Sequence, residues 1–395
     1  RCKMKKLWLI ITSLIVLMGS YSQNNINNIL EEIESNNTTL LALQKKIEVQ
    51  KLGNKTGIYL PNPEIEFGYL WGNPSEIGNE NSFAITQSMD FPTAYGLKNR
   101  ISNLENQNLD ILYNSERIKV VLEAKQLIVN LSYYNAVSSN YAHRVRIAEE
   151  IASSYQKMFN QGEINANERN QVYLDLISCI NEKRIIDIER KSLLNRLITL
   201  NGGKEIQYEA TEILLSPLPL NFNKWYADIK NNSPSLQHLT QQIEISRQQV
   251  KLNKALSLPK LSAGYSDERI LGEKLQGITV GISIPLWENK NSVKQAKADV
   301  LSNEYSLEDN KLRFYNRLQS LFEKASSLLD TALKYRQALA SYSNELMLRK
   351  ALEAGEIPLL DYLYQIEAYY DAYNKMLEVE RDYSLAEAEL TALSL

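Results

Sequence analysis

The chain is written twice, and that duplication narrows its possible folds more than composition does. NNTTLLALQKKIEVQ at 36–50 aligns with NSPSLQHLTQQIEIS at 232–246, placing Leu40 on Leu236 and Ile47 on Ile243. IYLPNPEIEFGY at 58–69 aligns with LSLPKLSAGY at 256–265, so that Pro63 falls on Pro259 and Gly68-Tyr69 on Gly264-Tyr265, at the same offset of 196. Further on, AITQSMDFP meets ITVGISIP with Pro92 on Pro285. QGEINANERNQVYLDL meets AGEIPLLDYLYQIEAY with Gly162 on Gly355, and both of these pairs have an offset of 193. Four blocks kept in one order mark a duplicated unit. Each copy reads helix, strand, strand, very long helix, Gly-Glu-Ile turn, long helix, with repeats expected at 23–222 and 223–395.

Within each copy two periods compete. Residues 275–290, LQGITVGISIPLWENK, set Ile278, Val280, Ile282 and Ile284 against Thr279, Gly281 and Ser283, the period-two pattern of a two-faced strand. The same alternation puts Ile65, Phe67, Tyr69 and Trp71 on one face and Glu64, Glu66 and Gly68 on the other. Phe83, Ile85, Met89 and Phe91 likewise oppose Ala84, Thr86, Ser88 and Asp90. Strands are predicted at 63–72, 82–92, 260–268 and 276–285, with NPSEIGNE and RILGEKLQ as their loops. Everything else follows helix rules. No proline occurs from 93 to 160 or from 287 to 354. Each stretch of about 68 residues would span roughly 100 Å at 1.5 Å per residue, a length that calls for coiled-coil packing. Helices are expected at 93–160, 164–200, 287–354 and 358–394. Leu359, Leu363, Ile366, Tyr370, Tyr373 and Leu377 form a heptad seam. Val172, Cys179, Ile186, Leu193 and Leu200 recur every seven residues, with Lys183 and Arg190 interrupting the companion positions.

The first 22 residues read as a secretory signal: Met4-Lys5-Lys6, the apolar run Leu7–Met18, then small residues, with a cut expected after Ser22. A retained membrane anchor is the other reading, although the run is short for a spanning helix. After the cut Cys179 is the remaining cysteine, so no intramolecular disulfide is expected. The 44 basic and 47 acidic residues, with no dominant basic patch, argue against a nucleic-acid partner.

Two hairpins give four strands, too few to close a barrel, since the smallest closed membrane barrels have about eight. In lipid a β-structure must close to satisfy its backbone. An exported chain with apolar-out, small-or-polar-in strands therefore points to a barrel built from several copies. Its lipid face would carry Ile65, Phe67, Tyr69, Phe83, Ile85, Ile278, Val280 and Ile282. Tyr69, Trp71, Phe83, Phe91 and Trp287 sit near strand ends, where aromatic girdles belong.

This layout resembles the TolC family of outer-membrane efflux proteins. The blocks PNPEIEFGY, ALSLPKLSAGYS, GISIPLW and GEIPLLDYL are especially similar to its cation-efflux (CzcC/CusC-like) branch. The resemblance covers 23–395 and implies a mainly α protein with a membrane β-barrel contribution, four strands per chain in a homotrimeric 12-stranded barrel. The helices would continue that barrel as a tunnel through the periplasm. A periplasmic adaptor and an inner-membrane pump, of the resistance-nodulation-division type, would dock at its tip and expel metal cations or drugs. The exit duct of type I protein secretion and a secreted coiled-coil scaffold are the competing functions.

Carried over by position, the resemblance implies that Asp361 and Glu168, each six residues past its turn glycine, line the periplasmic entrance. A second acid of the family falls on Tyr364. Three copies of Asp361 around a narrow axis would repel one another and attract cations; the plainer alternative is a solvated surface carboxylate. Gly162-Glu163 and Gly355-Glu356 would present the adaptor-docking turns, or be ordinary turns whose glycine takes a positive φ. His143 and His238 stand far apart, so no metal site or cofactor is expected, and Cys179 reads as a small core residue. The tyrosines of AYYDAY (368–373) read as packing residues. With no nucleophile–base motif or phosphate loop, an enzyme is not expected.

Overall fold

The computed structural model describes residues 26–342 and 345–394; the segment 1–22, read as a signal peptide, lies outside them. Helix α1 covers 26–36. It is followed by α2 (Thr38–Gly53), β1 (Glu64–Leu70), β2 (Glu80–Met89), α3 (Thr93–Gln161) and α4 (Ala166–Leu200). The second copy supplies α5 (Phe222–Ile229), α6 (Pro234–Leu256), β3 (Lys260–Ile270), β4 (Glu273–Ser283), α7 (Ser292–Tyr342), α8 (Glu345–Glu353) and α9 (Leu359–Leu390). The chain forms two compact units. One contains Glu116–Ile229, Tyr315 onwards and the described residues up to Leu41; the other contains Ala42–Ser115 and Lys230–Phe314. Each unit draws on both copies of the repeat.

The second unit holds a four-stranded antiparallel sheet in the order β1-β2-β3-β4. Its register stacks side chains in cross-strand rows. Met89, Leu261 and Ile282 make one, followed by Gln87, Ala263 and Val280, then Ile65, Ile85, Tyr265 and Ile278. Above these come Phe67, Phe83, Asp267 and Gln276, then Tyr69, Asn81, Arg269 and Lys274. Because side chains alternate along a strand, these rows share one face. The opposite face is built largely of Gly68, Ser82, Ala84, Thr86, Ser262, Gly264, Gly277 and Thr279.

The second hairpin corrects the sequence expectation. RILGEKLQ is not a loop: β3 and β4 run on to a two-residue turn at Leu271-Gly272, with φ of 50° and 88°. Two successive positive φ values match the twist of a type I′ hairpin. The polar residues that looked loop-like stay in the ladder, where Asp267 accepts from Arg269 Nε at 3.0 Å and from Lys274 Nζ at 2.8 Å. Beneath the sheet Ala94, Ile101, Leu252 and Ala255 form a small core between α3 and α6. The duplicated residues behave alike, with Leu40, Ile47, Leu236 and Ile243 all buried.

In the first unit the main core joins Ile29, Leu30 and Ile33 of α1 to Val121, Leu127, Ile128 and Leu131 of α3 and Leu197 of α4. The predicted seams are inside: Val172, Cys179 and Ile186 on α4, and Leu359, Ile366, Tyr370 and Leu377 on α9, are all buried. The cations that interrupt the α4 pattern find partners, Lys183 on Asp187 at 2.7 Å and Arg190 on Asn135 Oδ1 at 2.6 Å. Residues 204–219 have no regular structure, so their backbone groups need side-chain partners. Asn135 donates to the carbonyl of Ala210 at 3.1 Å, Ser384 to that of Leu214 at 3.2 Å, and Tyr383 to that of Ser216. Tyr383→Phe keeps the fully buried ring but orphans that carbonyl, and should lower unfolding stability by about 1–3 kcal/mol. The denaturant midpoint of the detergent-solubilised protein measures this, and an unchanged midpoint contradicts it.

Candidate functional site

Two features of the chain have the makings of a functional site: the two-faced sheet and, in the other unit, the paired helix turns. On the sheet, all eight residues predicted for a lipid face fall on the same side. Most are strongly exposed, with Phe67 80%, Ile278 83% and Val280 79% accessible. The apolar surface continues beyond the strand ends through Tyr59 and Leu60 before β1 and through Ile284, Leu286 and Trp287 after β4, all exposed. Exposed apolar area on this scale marks a contact surface. Both outer strands, β1 and β4, have an unpaired backbone edge within the chain.

The turns are built identically. Gly162 (φ 78°) ends α3, donating its N–H to Phe159 at 3.0 Å while Glu163 donates to Met158 at 2.9 Å. Gly355 (φ 73°) donates to Leu352 at 3.0 Å and Glu356 to Ala351 at 2.8 Å. This is the Schellman arrangement, whose C′ residue needs a left-handed backbone that glycine supplies without strain. Beside the turns Ala152, Val172 and Leu359 pack with Ile151, Leu352 and Leu363, so both hairpin ends share one apolar cluster. Glu163 and Glu356 project from it, exposed.

Here the two copies diverge. Glu168 is the N3 residue of α4. Its carboxylate accepts the Asn165 backbone N–H at 3.0 Å, while the Asn165 side chain accepts from Glu168 N at 3.1 Å. That reciprocal pair is a capping box, so Glu168 is already engaged in starting its helix. Its counterpart Asp361 sits in the first turn of α9, where Pro358 is the N-cap and offers no side-chain cap. Asp361 is exposed and has no ion-pair partner among the described residues. Tyr364, one turn on, is 79% exposed on the same helix.

A partly buried polar cluster that sequence reasoning missed lies higher on the same helices. The Arg144 guanidinium is sandwiched between the rings of Tyr141 and Tyr370, at 4.5 and 4.4 Å from their centroids. Tyr370 donates to Glu345 at 3.0 Å, and His143 Nε2 meets the same carboxylate oxygen at 2.6 Å. Arg146 donates to His143 Nδ1 at 3.0 Å, which leaves Nε2 as the His143 donor. Burial pushes the Asp175 carboxyl and the Cys179 thiol up, pushes Tyr362 up to about 12, and raises Tyr370 as well. The cluster ties α3, α4, α8 and α9 together. Its one legible signal was tyrosine, rather than leucine, at seam positions, since a buried phenol needs a partner.

Residues 225–394 match the family model described as outer membrane efflux protein. Over 185 residues the chain is 27% identical to the alkaline protease secretion protein AprF of Pseudomonas aeruginosa, a stretch covering 44% of this chain and 38% of that protein. The fold is similar to the Campylobacter jejuni CmeC outer membrane channel, with a TM-score of 0.76 at 15% identity over 93% of this chain and 85% of that one. It is equally similar to the outer membrane protein VceC of Vibrio cholerae, with a TM-score of 0.76 at 13% identity over 93% and 95%.

With nothing within 4 Å of a Cβ built at Gly355, Gly355→Ala tests its backbone alone and should cost about 1–2 kcal/mol, while Gly355→Asn should cost less. Equal denaturant midpoints for all three proteins would contradict the turn assignment. The family model matches the second copy of the repeat, and the fold is shared with solved outer-membrane channels along nearly the whole chain.

Proposed function

We propose that the chain is the outer-membrane channel of a tripartite efflux system, a passive conduit for metal cations or drugs delivered by an inner-membrane pump through a periplasmic adaptor. One observation carries this reading: a four-stranded sheet with one apolar face, one small-residue face and two open edges. Three copies joined β4 to β1 keep the strands alternating in direction and close a 12-stranded barrel, apolar side to lipid and small side to the lumen. The trimer has further support on α4. Leu174, Ile177, Ile185 and Ile188 are 52–63% exposed on the side of the helix away from the buried Val172, Cys179 and Ile186. A helix apolar on two sides fits a place between its own chain and a neighbouring copy.

In this reading the two repeats, 23–222 and 223–395, contribute equivalent halves of each subunit's tunnel wall. The turns at Gly162-Glu163 and Gly355-Glu356 meet the adaptor, and the pump is of the resistance-nodulation-division type. Asp361 and Tyr364 line the entrance, with Asp361 the better-placed acid because Glu168 is held in a cap. The lean toward metal cations rests on the similarity of the strand and turn motifs to the cation-efflux branch. Type I protein secretion is the second reading, favoured by the identity shared with a protein named for protease secretion.

Asp361→Ala is expected to raise pore conductance or weaken cation preference in planar bilayers, and unchanged traces at neutral pH would remove Asp361 from the entrance. Crosslinking in living cells followed by mass spectrometry of the tagged protein separates the functions. Capture of a resistance-nodulation-division pump with its adaptor supports efflux, whereas an ABC exporter in its place overturns efflux in favour of secretion.

A further inference from the structure

The apolar face of the sheet is interrupted at one level by charge. Asp267 is flanked by two cations, Arg269 at 3.0 Å and Lys274 at 2.8 Å, giving the cluster a net positive charge. The Asp267 side chain is only 12% exposed, whereas Arg269 is 62% and Lys274 46% exposed. Each cation therefore has donors left to offer, since a guanidinium carries five and an ammonium three. Directly below is a groove of about 630 Å³ lined by Phe67, Tyr69, Phe83, Tyr265, Asp267 and Arg269. Its floor is aromatic, with the Phe67 and Phe83 centroids 5.1 Å apart.

Charge on the lipid face of a barrel is costly at mid-bilayer and costs little near the head groups, so these charges belong at the membrane boundary. They lie beside the Leu271-Gly272 turn, at the strand ends opposite those that lead into α6 and α7. If the sheet is the membrane barrel proposed above, on which this inference rests, that end meets the outer leaflet. Neighbouring copies would join in the plane of the sheet at β1 and β4, which leaves the groove over β1–β3 uncovered.

We propose that the groove binds a phosphorylated acyl glycolipid of the outer leaflet, its phosphate held between Arg269 and Lys274 and an acyl chain lying over Phe67 and Phe83. Two features define the occupant: cations placed to receive a phosphate, and an open groove beside them lined by the rings of Phe67, Tyr69, Phe83 and Tyr265 together with Asn81 and Ser82. Asp267 fixes both cations in one place, so that less side-chain entropy is lost when the phosphate arrives.

The test uses the full-length protein extracted in mild detergent, stripped of lipid and examined by native mass spectrometry. Bisphosphorylated lipid A, its dephosphorylated form and phosphatidylglycerol are added in turn. The protein should retain bisphosphorylated lipid A, and the double variant Arg269→Gln/Lys274→Gln should retain roughly tenfold less, as expected for lost charge-assisted phosphate contacts. Dephosphorylation of the lipid should cause a similar loss. Phe83→Ala should weaken retention through the groove, while Lys260→Gln, at the other end of β3, should leave it unchanged. Heat-dependent gel mobility verifies that each variant folds.

Equal retention by the double variant, or of the dephosphorylated lipid, overturns the site. Phosphatidylglycerol retained as well as lipid A overturns the glycolipid as occupant. Recovery of the wild-type protein without detergent would instead refute the membrane reading beneath it. A membrane-bound protein with an indifferent double variant refutes the lipid site alone.

Discussion

Unpaired backbone at the two edges of a four-stranded sheet is the constraint on which the rest depends. Within the chain β1 and β4 each leave a row of N–H and C=O groups without a ladder partner. In hydrocarbon each such group costs several kcal/mol. Neither edge carries the proline, short length or covering helix that proteins use to blunt an exposed strand; β4 alone has 11 residues. In the proposed function the sheet is one segment of a larger closed object, and other features agree with that reading. Its polar face is paved with glycine, serine and threonine, as the crowded inside of a closed barrel requires. Its other face is apolar except at Gln87 and at the adjoining rows of Asp267 and Arg269.

Duplication supplies the symmetry and divergence supplies the chemistry. Both copies keep the same turn, with glycine at matching positions and the same pair of backbone hydrogen bonds. They part six residues later. The first copy spends its acid on a capping box with Asn165, while the second starts its helix at Pro358 and leaves Asp361 exposed. Pro358, at the N-cap, has no N–H for a capping-box carboxylate to accept, so the equivalent acid is not engaged in starting its helix. Above the turns, Arg144, Tyr370, Glu345 and His143 fasten the helices laterally, so the hairpin ends rest on a polar clasp as well as an apolar one.

Much of this was legible in the sequence. The alternation at 64–70, 83–89 and 278–284 put every proposed lipid-face residue on one side of the sheet, because period two leaves no choice once pairing is set. The seams at Val172 and Leu359 came from heptad spacing and are buried. The hairpin at Leu271 was misread because Arg269, Glu273 and Lys274 look like loop residues until the ion pairs of Asp267 with Arg269 along β3 and with Lys274 across the ladder are known. The capping box was readable from Asn165 and Glu168 at the expected spacing. The Arg144 cluster was not, since its members come from four helices whose mutual register no local pattern encodes.

The central claim is that the sheet divides lipid from a water-filled lumen, and cysteine scanning along β4 in living cells tests it most directly. In a Cys179→Ala background, single cysteines would replace Gly277, Ile278, Thr279, Val280, Ile282 and Ser283, followed by treatment with a charged, water-soluble maleimide. Labelling at Gly277→Cys, Thr279→Cys and Ser283→Cys, with protection at Ile278→Cys, Val280→Cys and Ile282→Cys, is the expected outcome. Uniform labelling of all six positions would contradict a lipid-embedded barrel wall.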